Sequence, residues 1–481
     1  MSEDINGNGL FFSRPATVMS AHDVEEIHQL TLDILSGKGI LIHLPEAREI
    51  LSRHGARLDG EVVFLDEPVV DKLMGTAPES FEMKGRDSGL PPLVFGKGQT
   101  RPVVCPGNGT LSVIESDGRK RPGTIEDFDN ITRLCQTSSV VDMVGSVPVE
   151  PSDLPPASRH LHLLRHLMRY SHKPLIGVAT DPEETRQSFT LLEMVYGDGF
   201  LKENHLIAYS VNPTSPLGFD PLACQTLMAY AGHRQVLFIL PGPMAGLTAP
   251  LDMYGMLAVI NAENLAGICL AQAVSPGTPI VYSSGAMTSD MRWANTITAA
   301  PEGTLIGMAC MQMARYYNLP SRAMAGLSEA KQTDFQAGME TMQNYLSHVM
   351  AGVGVVNECL GVLDSIMSTS FEKWILDEEV ISRVARMNRG LGDLDRDGVF
   401  KAIQKVDHMG TYLLEPSVFE NCHKIWQPGV SFWQPYDMWA DKRESILEKA
   451  GSIFQERIAA LEDPLLDPLL DADLGAYIET L

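Results

Sequence analysis

The chain has 481 residues, 44% of them apolar and 20% charged, which is the balance of a folded globular protein with enough chain for a large barrel or several domains. Its 37 Lys and Arg stand against 61 Asp and Glu, a net charge of −24; this opposes binding to a phosphate backbone and favours solubility. The seven scattered cysteines include no CxxC pair, so they fit a reducing cytoplasm and frame no zinc site.

The N-terminal stretch "MSEDINGNGLFF" has neither a basic nor an apolar leader region, so a cytoplasmic protein is expected. Residues 1–100 read as an N-terminal helical segment. "AHDVEEIHQLTLDILSGKGI" carries apolar residues at helical spacing, with Gly37 and Gly39 where a helix stops. "LPEAREILSRHGARLDG" and "PVVDKLMGTAPESF" follow the same plan.

Residues 101–366 change rhythm. Short apolar runs begin near Val103, Val140, Pro174, Leu206, Val236, Pro279, Ser321 and Val353, at intervals of 37, 34, 32, 30, 43, 42 and 32 residues. Helical patterns fill the gaps. Continuous apolar runs alternating with helices mark a parallel sheet buried on both faces. Eight such units make an α/β chain of the (β/α)8 TIM barrel kind, with a doubly wound open sheet as the structural alternative. The runs end in small, proline and polar residues: Cys105 to Asn108, Pro148 to Glu150, Asn212 to Thr214, Pro241 to Pro243, Ser283 to Gly285, Gly326 to Glu329, and Asn357 to Cys359. In a barrel all of these ends share the face on which barrel enzymes work. The longest apolar run, "MLAVINAENLAGICLAQAV", is interrupted by Asn261, Glu263 and Asn264, so it reads as a buried helix and no membrane span is expected. Residues 367–481 read as a C-terminal helical extension packed on the barrel, with Trp426, Trp433 and Trp439 joining it to the core.

The mouth of such a barrel would carry Glu329, Lys331, Asp334 and Glu358, the arginines Arg292 and Arg322, and the aromatics Tyr209, Tyr282, Trp293 and Phe335. Ring faces and carboxylates suit an alkylammonium group, and an arginine suits a carboxylate. Together they suit a zwitterion with a quaternary amine at one end. Arg322 and Glu358 also lie on neighbouring strands, where an ion pair serving structure alone is the other reading. GxGxxG, HExxH and GxSxG are all missing. "HLHLLRHLMRYSH" puts His162 and His166 on one helix face, most simply on a helix outside the barrel. Cys105 and Cys359 end neighbouring strands, and with Glu358 they offer a partial zinc set for thiolate-type methyl transfer, without a third sulfur or imidazole.

Five stretches, in order, carry a resemblance: "NPTSPLGFD", "LPGPMAGLTAPL", "NAENLAGICLAQAVSPGTPIVYSSGAMTSDMRWA", "GLSEAKQTDFQAGME" and "GTYLLEPSVFENCHKIWQP". Over residues 20–450 the chain resembles the trimethylamine methyltransferase family. That resemblance implies a barrel enzyme that passes a methyl group to the Co(I) of a corrinoid (cobalamin) carried by a separate partner protein, with no metal bound directly. Archaeal trimethylamine enzymes carry pyrrolysine near the loop matching "GLSEAK". This chain has standard residues there and so is similar to the non-pyrrolysine branch, which acts on glycine betaine, proline betaine, carnitine and γ-butyrobetaine. The resemblance makes Arg322 a substrate-contacting arginine and sets Glu358 where the family often has His. It leaves Tyr209, Tyr282, Trp293 and Phe335 as candidates to face the trimethylammonium group, and Glu329, Lys331 and Asp334 to line the cobalt path or dock the corrinoid protein. A homo-oligomer is expected, with no nucleic acid. A zinc-dependent corrinoid methyltransferase and a non-catalytic quaternary-ammonium binding protein are the competing readings.

Overall fold

A computed structural model of the chain describes residues 15–87, 89–179, 181–197, 199–293, 295–461 and 463–481. The stretch read for a leader (residues 1–12) lies outside the described residues.

Each of the eight apolar runs forms a strand: β1 (Val103–Pro106), β2 (Val144–Gly145), β3 (Leu175–Ile176), β4 (Ile207–Val211), β5 (Val236–Ile239), β6 (Ile280–Ser284), β7 (Ser321–Met324) and β8 (Val355–Cys359). They form one parallel sheet in which β8 also pairs with β1, as Val355 opposite Val103 shows. At the remaining seam the Asp142 and Met143 N–H groups donate to the Val104 carbonyl at 2.9 and 3.4 Å, so the sheet closes nearly into a barrel. A helix follows every strand: α1 (Ile125–Thr137), α2 (Arg159–Tyr170), α3 (Pro182–Tyr196), α4 (Pro221–Gly232), α5 (Met253–Val274), α6 (Pro301–Tyr316), α7 (Phe335–Met350) and α8 (Phe371–Asn388). The eighth barrel helix therefore begins the segment read as a C-terminal extension.

Strand alternation sorts the core into two shells. Val103, Cys105, Val236, Phe238, Val281 and Val355 fill the barrel, whereas Leu237, Ile239, Ile280 and Val356 face the helices. A hairpin, Ser80–Met83 with Leu93–Gly96, closes the end away from the strand C-termini. Its Phe81 and Phe95 stack at 4.8 Å and join the inner shell. The N-terminal segment is more mixed than its helical pattern predicts. Between helices Ala21–Asp33, Pro45–Arg53 and Glu67–Met74 run three short strands, and one of them, Ile40–Ile42, pairs in parallel with Gly218–Phe219.

This segment covers α5, the one described helix long and apolar enough to cross a membrane; 94% of its most apolar window is buried inside the molecule. The three polar residues that interrupt it are all bonded, as buried polar groups must be. Asn261 accepts from the Tyr282 hydroxyl at 2.9 Å and donates to Thr31 and the Tyr317 hydroxyl, each at 2.8 Å. Asn264 exchanges bonds with the backbone of Ser283. Glu263 accepts from the Ser215 hydroxyl and the Leu217 N–H, both at 2.7 Å. Replacing Asn261 with Ala removes the acceptor of the buried Tyr282 hydroxyl and the donors to Thr31 and Tyr317. The expected loss is about 2–3 kcal/mol of unfolding free energy, read from the denaturation midpoint in urea.

Candidate functional site

The strand C-termini surround a cleft of about 370 Å³. Asn108 enters from beyond β1, Asn212, Pro213 and Ser215 from beyond β4, and Leu240, Gly242, Met244 and Thr248 from beyond β5. Gly285 and Met287 follow β6, Met324 ends β7, and Glu358 and Ile366 come from β8 and its loop. The wall is neutral and rich in thioether sulfur, and Glu358 is its one charged group.

Glu358 reaches the cleft against the alternation of its own strand. Val355 points inward and Val356 outward, so a regular strand would turn Glu358 outward as well. Instead the β8–β1 register shifts between Val356 and Cys359, and Glu358 takes a left-handed φ of 66°. A bulge re-aims a side chain in this way, and a left-handed non-glycine residue costs about 1–2 kcal/mol. Below it Arg322 is fully buried on β7, level with Val355. Its Nη2 donates to Glu358 Oε1 at 3.1 Å, and its guanidinium lies 5.7 Å from the Phe238 ring centre. Arg322 Nε and Nη1 and Glu358 Oε2 have no protein partner. Burial pushes the Glu358 carboxyl up to about 7, against the pull of Arg322 and the Asn108 N–H. Burial likewise lowers the Arg322 guanidinium from its ordinary value, against the pull of Glu358.

The structure thus brings Arg322 and Glu358 together inside the barrel, but only Glu358 lines the cleft. It does not bring the expected ring cage there. Tyr209 faces outward and stacks on Tyr230 of α4 at 4.9 Å. Tyr282 faces outward onto α5 through Asn261. Their placement corrects the expectation that they line the mouth: both faces of a barrel strand are apolar, so the sequence does not reveal which residues point in. Trp293 and Phe335 stand on the rim, 78% and 85% exposed. The apolar lining comes instead from Met244, Met287 and Met324, which carry no sequence signal in a chain of 24 methionines. Asn108, Asn212 and Gly285 fall in the polar strand ends that the sequence marks.

The charged residues of "GLSEAK" hold the mouth in shape. Gly326 has φ 77°, and a Cβ there would meet the Cys359 Cβ at 2.7 Å, so the seventh loop can cross the end of β8 only with glycine. Glu329 accepts from the Thr298 N–H at 2.6 Å, the Thr298 hydroxyl at 2.8 Å and the Ala299 N–H at 3.2 Å, and also from the Ser365 hydroxyl. It therefore ties the loops after β6, β7 and β8 together. Lys331 pairs with Asp364 at 2.5 Å, and Lys120 reaches the same carboxylate at 2.9 Å. Asp364, Ser365 and Ile366 are all left-handed, so these contacts pin a strained turn that forms part of the cleft wall. Asp334 caps α7 through the Ala337 N–H, and Arg292 pairs with its neighbour Asp290 on the exposed rim.

The histidine-rich stretch forms α2 outside the barrel, with His166 2.6 Å from Asp129 and His160 2.8 Å from Gln187. The Cys359 thiol donates to the Cys105 carbonyl at 2.9 Å, and burial holds both thiols well above their ordinary values. Neutral thiols committed in this way make a poor zinc set. Among the described residues no group of three or more His, Cys, Asp or Glu stands close enough to hold a metal ion.

A parallel eight-stranded barrel with a cleft and a buried, part-unpaired ion pair at its strand C-termini has the build of an enzyme. The chain belongs to the trimethylamine methyltransferase family, whose profile matches residues 12–480. It is 33% identical over 465 residues to the glycine betaine methyltransferase of Desulfitobacterium hafniense, covering 96% of each chain. It is 30% identical over 404 residues to the L-carnitine:corrinoid methyltransferase of Eubacterium limosum, covering 81% of this chain and 82% of the other. The monomethylamine methyltransferase of Methanosarcina barkeri shares the fold, with a TM-score of 0.54 at 13% identity over 95% of this chain and 91% of that one.

Glu358 and Glu263 are the two glutamates that burial raises to about 7. Carboxyl-carbon NMR of the glutamate-labelled protein should show two resonances titrating near neutrality. Glu358→Gln should remove one of them and leave the other in place.

Proposed function

We propose that the protein demethylates a quaternary amine of the betaine or carnitine kind and passes the methyl group to the Co(I) corrinoid of a separate carrier protein. The observation that carries this reading is the unpaired Oε2 of a buried glutamate in a cleft otherwise walled by neutral and thioether groups. The kinship with betaine and carnitine methyltransferases supports it.

A quaternary nitrogen has no N–H, so it is recognised by shape, diffuse charge and soft apolar contact. Glu358 supplies the counter-charge in a low-dielectric site. Met244, Met287 and Met324 supply polarisable surface for the N-methyl groups. Arg322 acts through Glu358: its positive charge favours the ionised carboxylate that the cation needs. The C–N bond breaks with its electron pair leaving on nitrogen, so the leaving group is a neutral tertiary amine and no proton must be supplied. The corrinoid supplies the nucleophile. The chain's own task is to hold the substrate with one methyl facing the mouth and to keep water from its nitrogen. The exposed Trp293 and Phe335, with Lys331 and Asp334 on the same rim, form the surface against which the carrier docks.

The test is methyl transfer from glycine betaine, proline betaine and L-carnitine, followed by the absorbance of the methylated corrinoid, with free cob(I)alamin and with the protein-bound form as acceptors. Turnover of at least one amine is expected; binding without turnover would make the protein a binding module instead. Below pH 7 Glu358 becomes protonated and its counter-charge is lost, so KM should rise about tenfold per pH unit as pH falls. Glu358→Gln should raise KM about thirtyfold, equivalent to about 2 kcal/mol, and flatten that profile with both acceptors. Phe335→Asp should slow transfer only to the protein-bound acceptor.

A further inference from the structure

The cleft presents charge of one sign. Among its described lining residues there is no Lys, Arg or His, and Glu358 is the one acid. The positive charge that balances it lies behind. Arg322 is fully buried, is no part of the cleft wall, and donates to Glu358 Oε1 at 3.1 Å, whereas Oε2 has no protein partner. The pair is therefore a dipole with its negative end at the cleft. The polar groups around it are neutral and partly engaged: Asn108 Oδ1 accepts from the Val147 N–H at 3.0 Å, and the Ser215 hydroxyl donates to Glu263 at 2.7 Å. Positive charge in excess occurs at the rim instead. There Lys331 and Lys120 share the one carboxylate of Asp364, in the turn that continues to Ile366 of the wall.

We propose that Glu358 selects among quaternary amines by the distance between the cation and any acid the amine carries. The preferred class has no acid, or has at least three carbons between acid and nitrogen; an amine with its acid one carbon from nitrogen is rejected. This rests on the reading of Glu358 as the partner of the substrate cation, and adds which cations fit. One intervening carbon puts the carboxyl carbon about 2.5 Å from nitrogen by ordinary bond lengths. Wherever such an ammonium touches Glu358, its own carboxylate meets nearly the same negative charge, and attraction and repulsion largely cancel. No cation in the wall offsets that repulsion. Three intervening carbons stretch the separation to about 5 Å, so the acid can point out of the cleft toward the lysines of the rim. An amine of similar size with a hydroxyl in place of the acid keeps the whole attraction and meets a neutral polar wall. Selectivity of this kind comes from a group that repels the wrong ligand as much as from one that attracts the right one.

Calorimetric binding of choline, γ-butyrobetaine and glycine betaine at pH 8, where Glu358 is ionised, tests this. Choline and γ-butyrobetaine should each bind the wild type about tenfold more tightly than glycine betaine. Glu358→Gln keeps the shape of the side chain and removes the negative end of the dipole. Choline should then weaken about thirtyfold but glycine betaine only about threefold, because its acid is no longer repelled. The difference between the two ligands should close. A merely structural role for Glu358 would weaken all three alike. Glycine betaine bound by the wild type as tightly as choline overturns the inference without any variant, and leaves the methyl-transfer reading standing. A Glu358→Gln protein of unchanged circular dichroism that keeps the tenfold difference overturns it too. If none of the three binds, the function proposed for the cleft falls and this inference with it.

Discussion

One carboxylate, paired with the buried Arg322, is held inside a barrel whose core is otherwise largely apolar. Burying Glu358 is costly, and Arg322 together with the Asn108 N–H offsets only part of that cost. The pair is left short of partners on both sides, with two guanidinium donors and one carboxylate oxygen unpaired. A structural ion pair is normally completed by its surroundings. This one is open at the cleft on its carboxylate side, where a bound cation would balance the charge of Glu358 without supplying a hydrogen bond. The left-handed backbone that aims Glu358 adds to the cost, and strain of that kind persists where the surrounding structure holds it for use.

Much of the surrounding structure can be understood as support for that arrangement. Glu329 and Lys331 hold the strained turn behind Ile366, and Glu263 on α5 fixes the Ser215 loop that forms another wall. The apolar α5 thus has two roles. It packs the outer shell of the barrel, and through its buried polar groups it holds the loop after β4 and the end of β6. The charges of the seventh loop, which read in isolation as a site or a docking patch, are largely engaged with the neighbouring loops and with backbone. Glu329 joins three loops, and Asp334 caps a helix.

The barrel was legible because every strand is a short continuous apolar run and every one ends in a small or polar turn; Asn108, Asn212 and Gly285, which line the cleft, lie in those turns without being singled out by the sequence. The same apolar continuity hid the direction of each side chain. Tyr209 and Tyr282 were therefore expected at the mouth although they face the helices, and Glu358 reaches it only through a bulge that no residue pattern announces. The methionine wall was silent because Met fills cores as readily as it lines sites. Residues 371–388 read as extension because their helix is acidic and amphipathic, although they complete the eighth βα unit.

The central claim is that the cation of the substrate is balanced by Glu358. Calorimetric titration of glycine betaine or L-carnitine at pH 6, in buffers of different ionisation enthalpy, measures it directly. At that pH the carboxyl, raised to about 7, is mostly protonated, and a cation beside it must drive the proton off. The account predicts release of close to one proton per bound amine, disappearing in Glu358→Gln. Binding of equal strength with no proton released would contradict it.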